Sequence, residues 1–128
     1  MALKVNSAIR RPGIFVVAPI GSIDAAGNAI FQEKVASVLN QNPDVIIFDM
    51  EFADYINSMG IRVLVKTKKA MKQRGGKIVF INLQPPIRKV FDILNALPSL
   101  KVFANIQELD SYLDAMQARS HLTADDSK

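Results

Sequence analysis

Two short apolar runs constrain the fold of this chain more than any other feature. Val45–Phe48 and Ile78–Ile81 are each four residues long and contain no polar position. A strand with one face in water alternates apolar and polar residues, so an unbroken run indicates a strand covered on both faces. Between them, apolar residues from Gly60 to Met71 recur at helical spacing, and Gly75-Gly76 follows as a helix end. Strand, helix and strand in this order predict parallel pairing through a right-handed crossover.

The segments before this unit predict a hairpin and one more helix. Leu3–Ile9 and the β-branched run Ile14–Ile20 are strand-like, and the turn signal Pro12-Gly13 lies between them. Asp24 is predicted to be the N-cap of the first helix, because its carboxylate can accept from a free first-turn amide. Asn42-Pro43 is predicted to end that helix, since proline cannot continue the hydrogen-bond ladder.

The segments after it predict two further helices around a short strand. Pro85-Pro86 suits the first turn of a third helix, and Lys101–Phe103 is the strand. Asn105 and Glu108 resemble a capping box at the start of the last helix. The apolar faces of the two helices are predicted at Ile87, Val90, Phe91, Leu94 and Leu97, and at Ile106, Leu109, Leu113 and Met116.

The element order is therefore β-β-α-β-α-β-α-β-α. It predicts a single α/β domain over residues 1–119, with a mixed, mostly parallel sheet and about four packed helices. Residues 120–128 are polar and aperiodic, which predicts a disordered tail.

Composition excludes several classes of protein. The 128 residues include no cysteine, and no apolar run is long enough to cross a bilayer. Residues 1–11 lack the apolar stretch of a secretory signal, so we expect a cytoplasmic protein without membrane insertion. The net charge is +4, and many of the cations lie between Lys66 and Lys77 without interleaved aromatic residues. That pattern favours a solvated helix face over direct nucleic-acid binding.

The sequence lacks the common catalytic patterns. The sequence contains neither of the standard glycine-rich phosphate loops, and its one histidine, His121, falls in the predicted tail. Asp49 ends a central strand, as the phosphorylated aspartate of a response-regulator receiver does. The preceding strand, however, ends in Ile20-Gly21-Ser22 and not in the acidic pair that would hold Mg²⁺. We therefore expect no enzyme activity, no cofactor and no metal site.

Ser58 is the remaining candidate for chemistry. It follows a strand and loop and opens the second helix, so Ser58 or Asn57 is expected to be the helix N-cap. A hydroxyl at this place can also be a phosphoacceptor, because a phosphate would meet free amides and the positive end of the helix dipole. Local physics leaves both interpretations open.

The same junction resembles the signature of the STAS domain family. Ile46–Met50 followed by Tyr55–Leu64 is similar to the family's buried strand, short loop and apolar helix. Gly21–Asp24, Gly75–Lys77 and Asn82–Phe91 are similar to three further stretches of that family, in the same order. The resemblance covers residues 3–117 and points to the anti-sigma factor antagonists.

This resemblance implies partner switching. In that family the unphosphorylated antagonist binds an anti-sigma factor that is also a serine kinase, and phosphorylation releases it. A metal-dependent serine phosphatase restores the first state. By position the phosphoacceptor is Ser58. The residues expected to form the partner-binding surface are Asp24, Asn57, Ser58, Met59, Gly60, Ile61, Asn82 and Gln84.

Two positions depart from the family pattern. Asn57 stands where the family has aspartate, and Met59 where it has serine or threonine. Asn57 still caps but adds no charge, and Met59 adds an adaptable apolar side chain. One alternative is therefore a non-switching STAS subunit of a larger signalling or lipid-transport complex. The other is a domain that binds a small ligand or a nucleotide.

Overall fold

The computed structural model describes residues 2–93 and 101–115. Over these residues the chain forms a six-stranded sheet with four helices. The elements are β1 (Lys4–Arg11), β2 (Ile14–Ile23), α1 (Asn28–Leu39), β3 (Val45–Asp49), β4 (Ala53–Ile56), α2 (Ser58–Gln73), β5 (Lys77–Ile81), α3 (Pro85–Ile93), β6 (Lys101–Phe103) and α4 (residues 106–115).

The main path of the sheet has the order β1-β2-β3-β5-β6. β1 runs antiparallel to β2, whereas the pairs β2–β3, β3–β5 and β5–β6 are parallel. The prediction of an α/β domain with an opening hairpin and a mixed, mostly parallel sheet is therefore confirmed.

The two central strands, β3 and β5, are covered on both faces. Ile46, Phe48 and Phe80 face one apolar cluster that also contains buried residues of α1, α2 and α3. Ile47 and Val79 face the second cluster, which α4 covers with Leu109 and Leu113. Because successive side chains of a strand point to opposite faces, only an all-apolar strand suits both clusters. This arrangement explains the unbroken runs in the sequence.

Aromatic rings form the centre of the larger cluster. The rings of Phe48 and Phe80 are stacked with centroids 5.3 Å apart, and Phe91 of α3 meets Phe80 edge-on at the same distance. Phe31 of α1 lies 6.2 Å from Phe48. The row joins α1, the two central strands and α3 across the sheet, so these elements share one core.

The strand β4 was not among the predicted elements. β2 continues past its predicted end at Ile20 to Ile23, and β4 pairs in parallel with this extension. Ala53 and Ile56 are buried, whereas Asp54 and Tyr55 between them are exposed. Four residues without strict alternation carry little strand signal, so the pairing depends on the extension of β2.

The prediction that Asp24 caps the first helix is wrong by one turn. α1 begins at Asn28, and its N-cap residue is Gly27. The Asp24 carboxylate accepts a hydrogen bond from the Gly27 amide at 3.0 Å, while its carbonyl accepts from the amides of Gly27 and Asn28. Asp24 therefore stabilises a separate turn that precedes the helix, which local sequence does not distinguish from a first helical turn.

Other predicted helix ends are confirmed. α1 ends at Leu39, before Asn42-Pro43, and α3 begins at Pro85. The Asn105 side chain accepts from the Glu108 amide at 2.9 Å, which is one half of the predicted capping box. The predictions for Leu94, Leu97, Met116, His121 and the tail fall outside the described residues.

Ion pairs join the edge strand β1 to α4. Arg10 donates to both carboxylate oxygens of Asp110, and Arg11 donates to Asp114 at 2.7 Å. The hydrogen bond from Arg10 lowers the pKa of Asp110 below its ordinary value. These contacts link residues about a hundred positions apart in the sequence. In the part of the chain that the structure describes, no helix is long and apolar enough to cross a membrane.

Candidate functional site

Backbone contacts bring the end of β2 to the start of α2. Ser22 and Ile23 pair with Tyr55 and Ile56 of β4, and the Asn57 amide donates to the Ile23 carbonyl at 3.0 Å. The short strand β4 thus carries the chain back beside the end of β2 immediately before α2 begins. Two parts of the predicted binding surface, Asp24 and residues 57–61, are therefore neighbours in the structure.

A side-chain hydrogen bond adds to this junction. The Ser22 hydroxyl donates to the Asp54 carboxylate at 2.8 Å. The bond lies across the paired ends of β2 and β4, in the region where their register is irregular. It gives Asp54 a local partner beside the start of α2.

Asn57 is the N-cap of α2. Its backbone is extended, and its side-chain oxygen accepts a hydrogen bond from the Gly60 amide at 2.9 Å. Its carbonyl accepts from the Ile61 amide at 3.1 Å. Asparagine is among the best N-cap residues, so the departure from aspartate preserves the cap and removes only the charge.

Ser58 is the first residue of α2 and is exposed. The helix is 16 residues long, and no acidic residue occupies its first turn. The positive end of the helix dipole at Ser58 is therefore not offset by a carboxylate of that turn. A phosphate on the hydroxyl would gain from this field, and the cap is made by a different residue.

Gly60 and Ile61 lie inside the fold although they belong to the predicted binding segment. A side chain at Gly60 would place its Cβ 2.7 Å from Ile56 and 2.8 Å from Ile23. Ile61 is only 8% exposed and belongs to the larger apolar cluster. The two residues therefore set how closely α2 approaches the strands and offer little surface to a partner.

Three large apolar side chains near Ser58 face solvent. Phe52 is 59% exposed, Tyr55 is 50% exposed and Met59 is 46% exposed. They fall within eight consecutive residues that contain β4 and the cap of α2. We call Phe52, Tyr55 and Met59 the apolar tip. Only Met59 of these three was predicted to contact a partner, and the signal for the other two is a pair of aromatic residues close before the helix cap.

Asn82 and Gln84 hold the loop between β3 and β4. The Asn82 side chain donates to the Asp49 carboxylate at 3.1 Å, and the Gln84 side chain donates to the Glu51 carbonyl. The same Asp49 oxygen accepts from the Glu51 amide. Asn82 has φ +59°, a left-handed conformation that asparagine tolerates better than most residues. These two side chains thus support the segment that leads to Phe52.

The chain matches a known domain family. The model of the STAS domain matches residues 7–109, which is most of the chain. The chain belongs to the STAS domain family. Within this STAS domain, the capped start of α2 and the apolar tip lie at the place where sequence analysis expected the functional site.

Relatives of this STAS domain bear the names of regulators. It is 28% identical over 96 residues to the anti-sigma factor antagonist BtrV of Bordetella bronchiseptica, covering 75% of this chain and 82% of that protein. It is 32% identical over 73 residues to the anti-sigma-B factor antagonist of Bacillus subtilis, covering 57% of this chain and 66% of that protein.

A solved structure shares the fold. The anti-sigma factor antagonist SpoIIAA in its unphosphorylated form superposes with a TM-score of 0.74 at 17% identity, covering 87% of this STAS domain and 97% of SpoIIAA. The phosphorylated form of SpoIIAA, from Bacillus, gives a TM-score of 0.67 at 16% identity, covering 85% and 99%. At these identities the likeness establishes the fold alone.

Proposed function

We propose that this STAS domain is an anti-sigma factor antagonist controlled by phosphorylation of Ser58. With Ser58 unmodified, it binds an anti-sigma factor that is also a serine kinase. Phosphorylation by that kinase causes the antagonist and the anti-sigma factor to dissociate, and a metal-dependent serine phosphatase reverses the modification. The protein is a cytoplasmic binding regulator and not an enzyme.

One observation carries this proposal. Ser58 is exposed at the first position of a helix whose cap is supplied by Asn57. The hydroxyl is thus not needed to satisfy the Gly60 amide and is accessible to a kinase. Arg62 follows four residues later on α2 and is exposed, so it lies within reach of a phosphate on Ser58. Modification is therefore compatible with the folded domain.

The apolar tip explains why modification would weaken binding. Exposed aromatic residues and methionine are enriched where proteins bind each other. A partner that covers Phe52, Tyr55 and Met59 would exclude water from the neighbouring Ser58. A phosphate of about −1.5 to −2 charges would then have to be desolvated in a surface that fits a hydroxyl.

The names of the relatives support the same partner class. BtrV and the Bacillus subtilis protein are both named as antagonists of anti-sigma factors. SpoIIAA is described in both an unphosphorylated and a phosphorylated form. We infer the same class of partner for this chain and the same kind of modification at Ser58.

The proposal is tested by comparing Ser58→Asp and Ser58→Ala with the wild type in one titration against the cognate anti-sigma factor. Ser58→Asp should bind at least about tenfold more weakly, equivalent to about 1.4 kcal/mol. Ser58→Ala should bind like the wild type. Incubation with the kinase and ATP should add one phosphate to the wild type and none to Ser58→Ala, as measured by intact mass.

Circular dichroism and thermal melting provide the control. Both variants should melt within a few degrees of the wild type, because Asn57 and not Ser58 caps the helix. If Ser58→Asp binds as tightly as the wild type and no phosphate is found on Ser58, the switch is excluded. The non-switching STAS subunit would then replace this proposal.

A further inference from the structure

A groove of about 270 Å³ runs between α1 and α2, beyond the predicted binding residues except for Met59. One wall is formed by residues of α1 and the other by residues of α2. Val35, Ala36 and Leu39 line it from α1, with Gln32 one turn earlier. The volume is close to the lower end of the range for small-molecule sites, about 300–1,000 Å³.

Small side chains leave this space open on the α2 side. Ala70 lines the groove opposite α1, and Thr67 is 3% exposed with its hydroxyl donating to the Val63 carbonyl at 2.7 Å. Because that bond occupies the hydroxyl proton, Thr67 offers the groove chiefly its methyl group. The floor of the groove is therefore apolar.

The rim of the groove carries positive charge. Arg62 and Lys66 both line it, and a spacing of four residues places them on the same face of α2. No lining residue is acidic, and Glu33 of α1 lines a different depression. A ligand that suits this groove has an apolar body and a negatively charged head.

The two ends of the groove differ. Arg74 donates to the Leu39 carbonyl at 3.0 Å, which ties the end of α2 to the end of α1. At the other end the lining includes Met59, which is 46% exposed and follows Ser58 directly. An elongated ligand would have its apolar body along the helices, with Met59 able to adapt its side chain around it.

We propose that the α1–α2 groove binds a small amphipathic anion of the medium-chain carboxylate class. The apolar floor accepts the chain, and Arg62 and Lys66 bind the carboxylate at the rim. The proposal does not rest on the phosphorylation of Ser58, although Arg62 would be shared by both anions, and it is tested on the purified, unphosphorylated protein without any partner.

The test uses three probes of one chain length: octanoate, octanol and octylammonium. Binding is followed by isothermal titration calorimetry and by chemical-shift changes of residues in α1 and α2. Octanoate should bind at least about tenfold more tightly than octanol, and octylammonium should bind most weakly. Equal affinity for octanoate and octylammonium would overturn the proposal, because rim charge would then have no part in recognition.

Variants locate the site. Ala70→Leu fills the groove and should weaken octanoate binding at least about tenfold, whereas Ser37→Leu, at an exposed position of α1 that lines a different depression, should not change it. Arg62→Gln with Lys66→Gln should remove the preference for octanoate over octanol, whereas Lys68→Gln with Lys72→Gln, on the other side of α2, should retain it. Chemical shifts of the unliganded variants verify folding. Two outcomes would refute the proposal. One is that the wild type does not bind octanoate, and the other is that binding survives both Ala70→Leu and the double substitution Arg62→Gln with Lys66→Gln.

Discussion

The side-chain oxygen of Asn57 lies 2.9 Å from the amide nitrogen of Gly60 and accepts its hydrogen bond. This contact fixes the start of α2, and Gly60 in turn lies against Ile23 and Ile56. One short segment therefore contains both the cap of the helix and its closest approach to the strands. The exposed Ser58 lies between these two residues, so its position is held from both sides.

We predict that Asn57→Ala destabilises the domain by about 1 kcal/mol, because the Gly60 amide loses its side-chain acceptor. Asn57→Asp should retain full stability, since its carboxylate can make the same bond and meets the positive end of the helix dipole. Urea denaturation of both variants measures the effect. Equal loss of stability in the two variants would show that the cap is not the reason.

We predict that Gly60→Ala destabilises the domain by about 1–3 kcal/mol, because a Cβ there would overlap side-chain atoms of Ile56 and Ile23. The measurement is again urea denaturation. In an Ile56→Ala background the same substitution should cost less, since the nearest atoms have been removed. Additive costs in this double-mutant cycle would contradict the close approach of α2 to β4.

The ion pair between Arg10 and Asp110 predicts a dependence of stability on pH. The folded-state pKa of Asp110 is lowered, chiefly by the hydrogen bond from Arg10. Its contribution is therefore fully present above the ordinary carboxylate pKa and is lost as the pH falls through the lowered value. Because both side chains are partly exposed, Asp110→Asn should cost less than about 1 kcal/mol at pH 7.

Urea denaturation at pH 7 and pH 3 provides the measurement. The difference between Asp110→Asn and the wild type should shrink at pH 3, and at pH 7 it should shrink in 1 M NaCl because salt screens exposed charges. Glu33→Gln, at an exposed position on α1, is the control and should show no such pattern. A difference that persists at pH 3 would mean that Asp110 acts through packing.

We predict that Phe52→Ala and Tyr55→Ala each weaken binding of the anti-sigma factor by at least about tenfold, because buried aromatic anchors dominate interfaces. Folding should be little affected, since both rings are at least half exposed. Ile9→Ala is the control. Ile9 is 64% exposed but pairs with Phe15 at the opposite end of the sheet, so its truncation should leave binding unchanged.

Titration calorimetry or surface plasmon resonance would measure these affinities. If the two aromatic variants bind like the wild type while Ser58→Asp does not, the partner contacts Ser58 without covering the apolar tip. The rest of the binding surface would then be expected along the exposed side of α2.

Local chemistry was enough to locate most of the elements. Unbroken apolar runs predicted the strands that are covered on both faces, and Pro85 and Gly75 marked helix ends correctly. Residues near in sequence decide these features, through side-chain alternation, helical spacing and the restricted backbone of proline. The cap of α2 is also decided by residues near in sequence, because Asn57 and Gly60 are three residues apart.

Contacts between distant residues decided the rest. β4 exists because the extension of β2 offers it a pairing edge more than thirty residues earlier in the chain, and local sequence does not encode that pairing. The same pairing leaves Tyr55 exposed while Ile56 is buried. The groove between α1 and α2 likewise depends on how two separate helices pack. The sequence by itself determined most of the elements and the place of Ser58 at the start of α2, whereas only tertiary packing determined β4 and which side chains surround Ser58.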